Sequence, residues 1–150
     1  MSQSLSQVYV HLVFCTKGRT TFIRPEWEKQ LHAYMVGTFS ALSSPVVLMN
    51  GTSDHVHVLF CQSKNHSLAK IAEEVKKSSS KWVKAQNHHS MFAWQGGYAA
   101  FSVSSSRLDA VRKYIEKQKE HHEKESFENE IVEFMKKYDV ENFEKKYFFE

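Results

Sequence analysis

Two stretches of the chain alternate residue by residue, QVYVHLVFCT at 7–16 and DHVHVLFC at 54–61. A period of two marks a β-strand, whose successive side chains point to opposite faces. Val8, Val10, Leu12 and Phe14 therefore share one face of the first strand, and Val56, Val58 and Phe60 share one face of the second. β-Branched and aromatic residues dominate both runs, as extended backbone favours. Each strand thus has an apolar side that fits a packed core. On the second strand the opposite side carries His55 and His57.

The material that covers such a sheet is also legible. Pro25 opens a helical stretch in which Trp27, Leu31, Tyr34, Met35 and Leu42 approximate helical spacing, ending near Ser43 and Ser44. PVVLMN and DHVHVLFC, separated by Gly51, Thr52 and Ser53, read as a hairpin. Ser67 is a candidate N-cap for a second long helix with an apolar stripe of Leu68, Ile71, Val75, Trp82 and Val83. A Gly96-Gly97 turn precedes a fourth strand at 98–103, and Ser106 can cap a third helix carrying Leu108, Val111 and Ile115. A short helix at Phe127–Lys137 and an aromatic tail follow.

The order β-α-β-β-α-β followed by helices predicts an α+β fold. It is a ferredoxin-like sandwich with helices on one face of an antiparallel sheet and the other face left for a site or a partner. The strands containing Tyr9 and His57 would be central neighbours. A chain of 150 residues suits one domain over 1–150: a body at about 5–104, a helix at about 106–122 and a helical tail at about 126–150. With 41% hydrophobic and 25% charged residues, and only five Gly and two Pro, a disordered or collagen-like chain is excluded. No apolar run approaches the roughly 20 residues that span a bilayer, and MSQSLSQ lacks the basic and apolar parts of a signal peptide. The expectation is a soluble, cytoplasmic protein with no membrane partner, its Cys15 and Cys61 reduced.

Charge divides unevenly: residues 1–122 hold 15 Lys/Arg against 8 Asp/Glu, and residues 123–150 hold 5 against 9. The first part can attract a polyanion. Lys70, Lys77, Lys81 and Lys84 form a basic stripe about 20 Å long at 1.5 Å per residue, which suits either a solvated face or a phosphate-contacting one.

His55 and His57 lie ~7 Å apart along one side of a strand, so two imidazoles can converge on one ion. Asp54 alternates away from them and suits a turn or an outer-shell role. On the third helix Tyr114 and Gln118 are four residues apart and share a face; an amide oxygen can ligate a metal and a phenol can attack. His121 continues that face, with His122 beside it, and both suit solvent or DNA contact. His11 fits either the site face or a structural hydrogen bond. No GxxxxGK[ST] sequence is present.

These residues resemble the single-tyrosine HUH transposases, the small TnpA-type enzymes of bacterial insertion sequences. The likeness spans nearly the whole chain and rests on VYVHLVFCTKGR, DHVHVLF, EEVKKSSSKWV, FAWQGGYAAFSVS, VRKYIEKQKEHH and the tail SFENEIVEFMKKYDVENFEKKYFF. Lys117 is a departure, since members often have Asn before the Gln. The resemblance implies cleavage of single-stranded DNA beside a subterminal hairpin, with one end held as a 5′-phosphotyrosine. It assigns Tyr114 as nucleophile and His55, His57 and Gln118 as ligands of Mg²⁺ or Mn²⁺, although two imidazoles and an amide also suit Zn²⁺. It further implies a homodimer in which one subunit's sheet receives its partner's tyrosine helix.

DNA contacts are expected from Lys17, Arg19, Lys76, Lys77, Lys81 and Trp94, positive groups for phosphates and an aromatic for bases. Trp82, on the apolar stripe, is assigned to the core. Two rivals use the same residues: a noncatalytic or host-repurposed hairpin-binding protein, and a metal-dependent nuclease that passes the phosphate to water. A covalent adduct on Tyr114 separates all three.

Overall fold

A computed structural model describes residues 3–122 and 127–137. Four strands, β1 (Val8–Cys15), β2 (Val46–Gly51), β3 (His55–Gln62) and β4 (Ala99–Val103), form one sheet in the order β2-β3-β1-β4. Every neighbouring pair is antiparallel. Helices α1 (Pro25–Ala41) and α2 (Leu68–Ala85) interrupt the strands, and α3 (Leu108–Glu116), α4 (Gln118–His122) and α5 (Phe127–Lys137) follow them. This is the ferredoxin-like α+β order expected, with β1 and β3 central. The aromatic tail beyond Lys137 lies outside the described residues, as do the side chains of His121 and His122.

Register sorts the residues as their parity requires. Val10, Leu12 and Phe14 pair with Phe60, Val58 and Val56, and all six pack against α1 and α2. Leu31, Met35 and Phe39 of α1 and Ile71, Val75 and Val83 of α2 are fully buried on that face. At about 1.5–3 kcal/mol per buried side chain, this interface dominates the apolar stabilisation of the body. Local signals set the helix starts. Pro25 occupies the first turn of α1, where a missing N–H costs nothing, after an extended Arg24. The Ser67 hydroxyl accepts from the Lys70 N–H at 3.1 Å, capping α2.

The second face of the sheet departs from expectation. It is not left open: Val13, Cys15, Ala99 and Phe101 pack with Ile131 of α5, while Leu59 and Val103 pack with Val111 and Ile115 of α3. The helix expected over 106–122 is also broken. Ser106 lies in a 3-10 turn at Ser105–Arg107, its hydroxyl 3.0 Å from that of Ser104, and α3 begins only at Leu108. Lys117 then leaves helical geometry at φ −96°, ψ 17°, separating α3 from α4.

Cys15 and Cys61 are free thiols, and burial pushes the Cys15 thiol up to about 12, which removes it as a nucleophile. Among the described residues no helix is long and apolar enough to cross a membrane.

Candidate metal and tyrosine site

The site forms where β3 begins beside the end of β1. His55 pairs with Cys15, and His57 lies between Val13 of β1 and Asn50 of β2. Strand parity turns both imidazoles to the face covered by α3 and α5, where both are fully buried. Their ring centroids are 5.2 Å apart and the planes cross at 74°.

The hairpin turn holds the first ring. His55 Nδ1 lies 2.8 Å from Asp54 Oδ1 and 2.9 Å from Thr52 Oγ1, which itself donates to Asp54 Oδ1. An ionised carboxylate only accepts, so Nδ1 carries the proton and Nε2 turns its lone pair inward. Asp54 thus sits in the turn and holds the outer edge of the first imidazole. Gln118 Oε1, also an acceptor, faces His55 Nε2 at 3.2 Å, and the buried Gln118 Nε2 has no partner among the described residues. An imidazole nitrogen and an amide oxygen brought together in this way form a donor set that a cation can satisfy.

The second ring is held from the neighbouring strand. His11 Nε2 lies 2.8 Å from His57 Nδ1, so His11 belongs to the site face and makes a structural hydrogen bond as well. Burial, reinforced by the neighbouring His57, holds the His11 imidazole well below its ordinary range. His57 Nε2 lies 2.7 Å from Glu130 Oε1, and Glu130 Oε2 is 3.9 Å from His55 Nε2. The Tyr114 hydroxyl donates to the same Glu130 Oε1 at 2.6 Å, its ring edge-on to His57 at 5.9 Å. Ligating atoms of His55, His57 and Glu130 all lie within 4.8 Å of one another, so the group can hold a divalent metal ion.

Four residues expected at the site, Tyr114, His55, His57 and Gln118, therefore do converge, within one chain. Glu130 is an addition that the sequence did not single out. Its signal was weak: FENEIVEFMKK is an amphipathic stretch with several acids, and only the packing of Ile131 against the sheet selects which one turns inward.

The expected DNA contacts separate into groups. Lys17 and Arg19 are exposed in the 3-10 turn Lys17–Arg19 that follows β1, at the site's end of the sheet. Lys77 and Lys81 are exposed on α2, which covers the opposite face. Lys76 instead donates to the carbonyls of Gln95 (3.1 Å) and Gly97 (2.6 Å) over the Phe14 and Tyr98 rings. Burial brings its ammonium down to about 8. Trp94 is buried, its indole N–H donating to Ser79 Oγ at 2.9 Å and its ring edge-on to Phe14 and Phe92. Both side chains pin the 92–98 segment to α2, and the structure does not bring them to the site.

The ferredoxin-like sheet thus sets its His-x-His strand, β3, against a tyrosine carried by α3, the helix after β4. The family model described as "transposase IS200 like" matches residues 4–118, and the chain belongs to that family. The match includes His55, His57, Tyr114 and Gln118 and leaves out Glu130. Two solved structures share the fold. A candidate transposase of Deinococcus radiodurans R1 is 21% identical, with TM-score 0.60 over 79% of this chain and 98% of its own. A REP-associated tyrosine transposase bound to a REP hairpin is 12% identical, with TM-score 0.61 over 81% of this chain and 74% of its own. Comparison with curated proteins gave no match.

Proposed function

We propose that this chain is a metal-dependent transposase that cleaves and rejoins single-stranded DNA beside a hairpin, with Tyr114 as nucleophile. The observation that carries the reading is the meeting of the Tyr114 hydroxyl with two buried imidazoles and two side-chain oxygens, from Gln118 and Glu130, around one point. His55, His57 and Gln118 would hold the ion, with Glu130 able to supply a further oxygen. A divalent ion, Mg²⁺ or Mn²⁺, would polarise the scissile phosphate and offset the charge developing on it.

The chain's own groups account for the remaining chemistry. The Tyr114 oxygen attacks phosphorus, the bond to the leaving 3′-oxygen breaks, and the 5′ end stays on the enzyme as a phosphotyrosine with a free 3′-hydroxyl released. A phenol with pKa ≈ 10 must lose its proton in this step, and Glu130 Oε1, which already accepts its hydrogen bond, is the nearest acceptor. Attack by a 3′-hydroxyl on the phosphotyrosine rejoins DNA and returns the phenol, so no nucleotide cofactor is consumed. Lys17 and Arg19, exposed in the turn that follows β1, are the positive groups we assign to the phosphates of the bound strand. The hairpin preference is carried over from the hairpin-bound neighbour of the same fold.

The test is a labelled hairpin oligonucleotide with single-stranded flanks, incubated with Mn²⁺ and run under denaturing conditions. Wild type should give a covalent protein–DNA adduct, and Tyr114→Phe should lose it while still binding the hairpin. Cleavage by Tyr114→Phe at the wild-type rate would establish water as the acceptor and a nuclease instead.

A further inference from the structure

We infer that Asn50, Glu28 and Lys119 form a clamp that positions Tyr114 and Gln118 over the histidines of their own chain, so that one molecule builds a complete site. The inference rests on the catalytic reading above and adds positioning residues to it.

The break at Lys117 creates the need. A helix that stops leaves its last carbonyls without intrahelical partners. Asn50 Nδ2 donates to two of them, Ile115 O at 3.0 Å and Glu116 O at 3.2 Å. The other end of the same amide, Oδ1, accepts from Lys119 Nζ at 3.1 Å and from the Gly51 N–H at 2.9 Å. One side chain on β2 therefore grips the helical segments on both sides of the break, with Tyr114 before it and Gln118 after it. Asn50 is also the register partner of His57, on the same face of the sheet. Any movement of Asn50 displaces the nucleophile's helix and a metal-facing imidazole together.

Lys119 extends the grip to α1. Its ammonium meets Glu28 Oε1 at 2.6 Å, Asn50 Oδ1 and the Gly51 carbonyl at 3.3 Å, using its three donors on three acceptors. Glu28 is 7% exposed beside Trp27 and Leu31, an unfavourable place for a carboxylate without a partner. Lys119 is itself 62% exposed, so the ion pair is partly solvated and adds little stability of its own. Registry between elements is the better-attested use. Here the pair joins residues 28, 50 and 119, which sequence separates and the tyrosine segment needs together.

The experiment compares Asn50→Ala, Lys119→Met and Lys119→Arg with wild type, using single-turnover adduct formation, hairpin affinity and amide exchange over residues 108–122. Asn50→Ala and Lys119→Met should slow adduct formation, on the order of 100-fold for a misplacement near 1 Å. Hairpin affinity should stay unchanged, exchange at 108–122 should rise while that at 55–62 does not, and Lys119→Arg should restore the rate. Tyr114→Phe mixed with His57→Ala should give no adduct, since neither chain then holds a whole site. Recovery of activity in that mixture, or wild-type rates in Asn50→Ala and Lys119→Met, would overturn the clamp. Should Asn50→Ala fail to fold, the surface variant Lys119→Met decides. If wild type itself forms no adduct, the catalytic reading fails, and exchange at 108–122 still confirms or refutes the clamp.

Discussion

Replacing His11 with Leu tests whether the His57 side of the site is built for a cation. His57 can turn its Nε2 lone pair toward a metal only as the tautomer with its proton on Nδ1. That proton then needs an acceptor, and His11 Nε2 stands 2.8 Å away. His11 suits the task because burial keeps its imidazole uncharged at neutral pH. In His11→Leu the packing beside Phe101 is largely kept, and the metal-binding tautomer of His57 is left with a buried donor that has lost this acceptor. Such a donor costs about 1–3 kcal/mol, and the cost falls on the metal-bound form. At 1.4 kcal/mol per decade, Mn²⁺ should bind roughly 5- to 150-fold more weakly. That range overlaps the effect of removing outer-shell partners elsewhere. Calorimetric or paramagnetic-resonance titration of the DNA-free protein measures it. Binding within about twofold of wild type would refute the argument.

Gly51→Ala should disturb the same centre from the turn side. A Cβ there collides with the His55 carbonyl oxygen and comes within 3.0 Å of Val56 Cα, backbone that cannot swing aside. A loss of about 1–3 kcal/mol is expected, with weaker Mn²⁺ binding; a wild-type melting temperature and affinity would count against it. His32 supplies a pH test. Burial, with Lys119 adding to it and Glu28 opposing, lowers its imidazole from 6.5 to about 4. Between those values the unfolded chain binds the additional proton, so stability rises with pH across the window and falls on acidification. The contribution is about 3 kcal/mol at 1.36 kcal/mol per unit. His32→Leu should flatten urea-unfolding stability between pH 4 and 6.5; an unchanged slope would exclude the assignment.

Parity was enough to place β1 and β3 and to decide which face of each carries chemistry, because the histidines and the continuous apolar row fall on opposite parities. Tyr114 and Gln118 were assigned by the family resemblance, with their four-residue spacing compatible with it, although they reach the site across a broken helix. Asn50 holds the end of α3 from 65 residues away in sequence, through the Ile115 carbonyl, a contact that no local pattern encodes. Glu130 was missed for a similar reason, since several acids share its short helix and tertiary packing chooses among them. Lys76 and Trp94 show the converse. Their residue types suit nucleic acid, but the carbonyls of Gln95 and Gly97 and the hydroxyl of Ser79 occupy their polar atoms.

The pairing of Asn50 with His57 also limits how this chain can vary. Sliding β2 by a single position would send Asn50 to the opposite side of the sheet. The irregularity between Val46 and Leu48 shows that the far end of the hairpin already absorbs one surplus residue without disturbing this pair. The three residues between Gly51 and His55 have no such slack, because Thr52 and Asp54 hold the first imidazole. Insertions should be tolerated toward Val46, and a lengthened Thr52–Asp54 turn should separate nucleophile from metal while leaving the sheet intact.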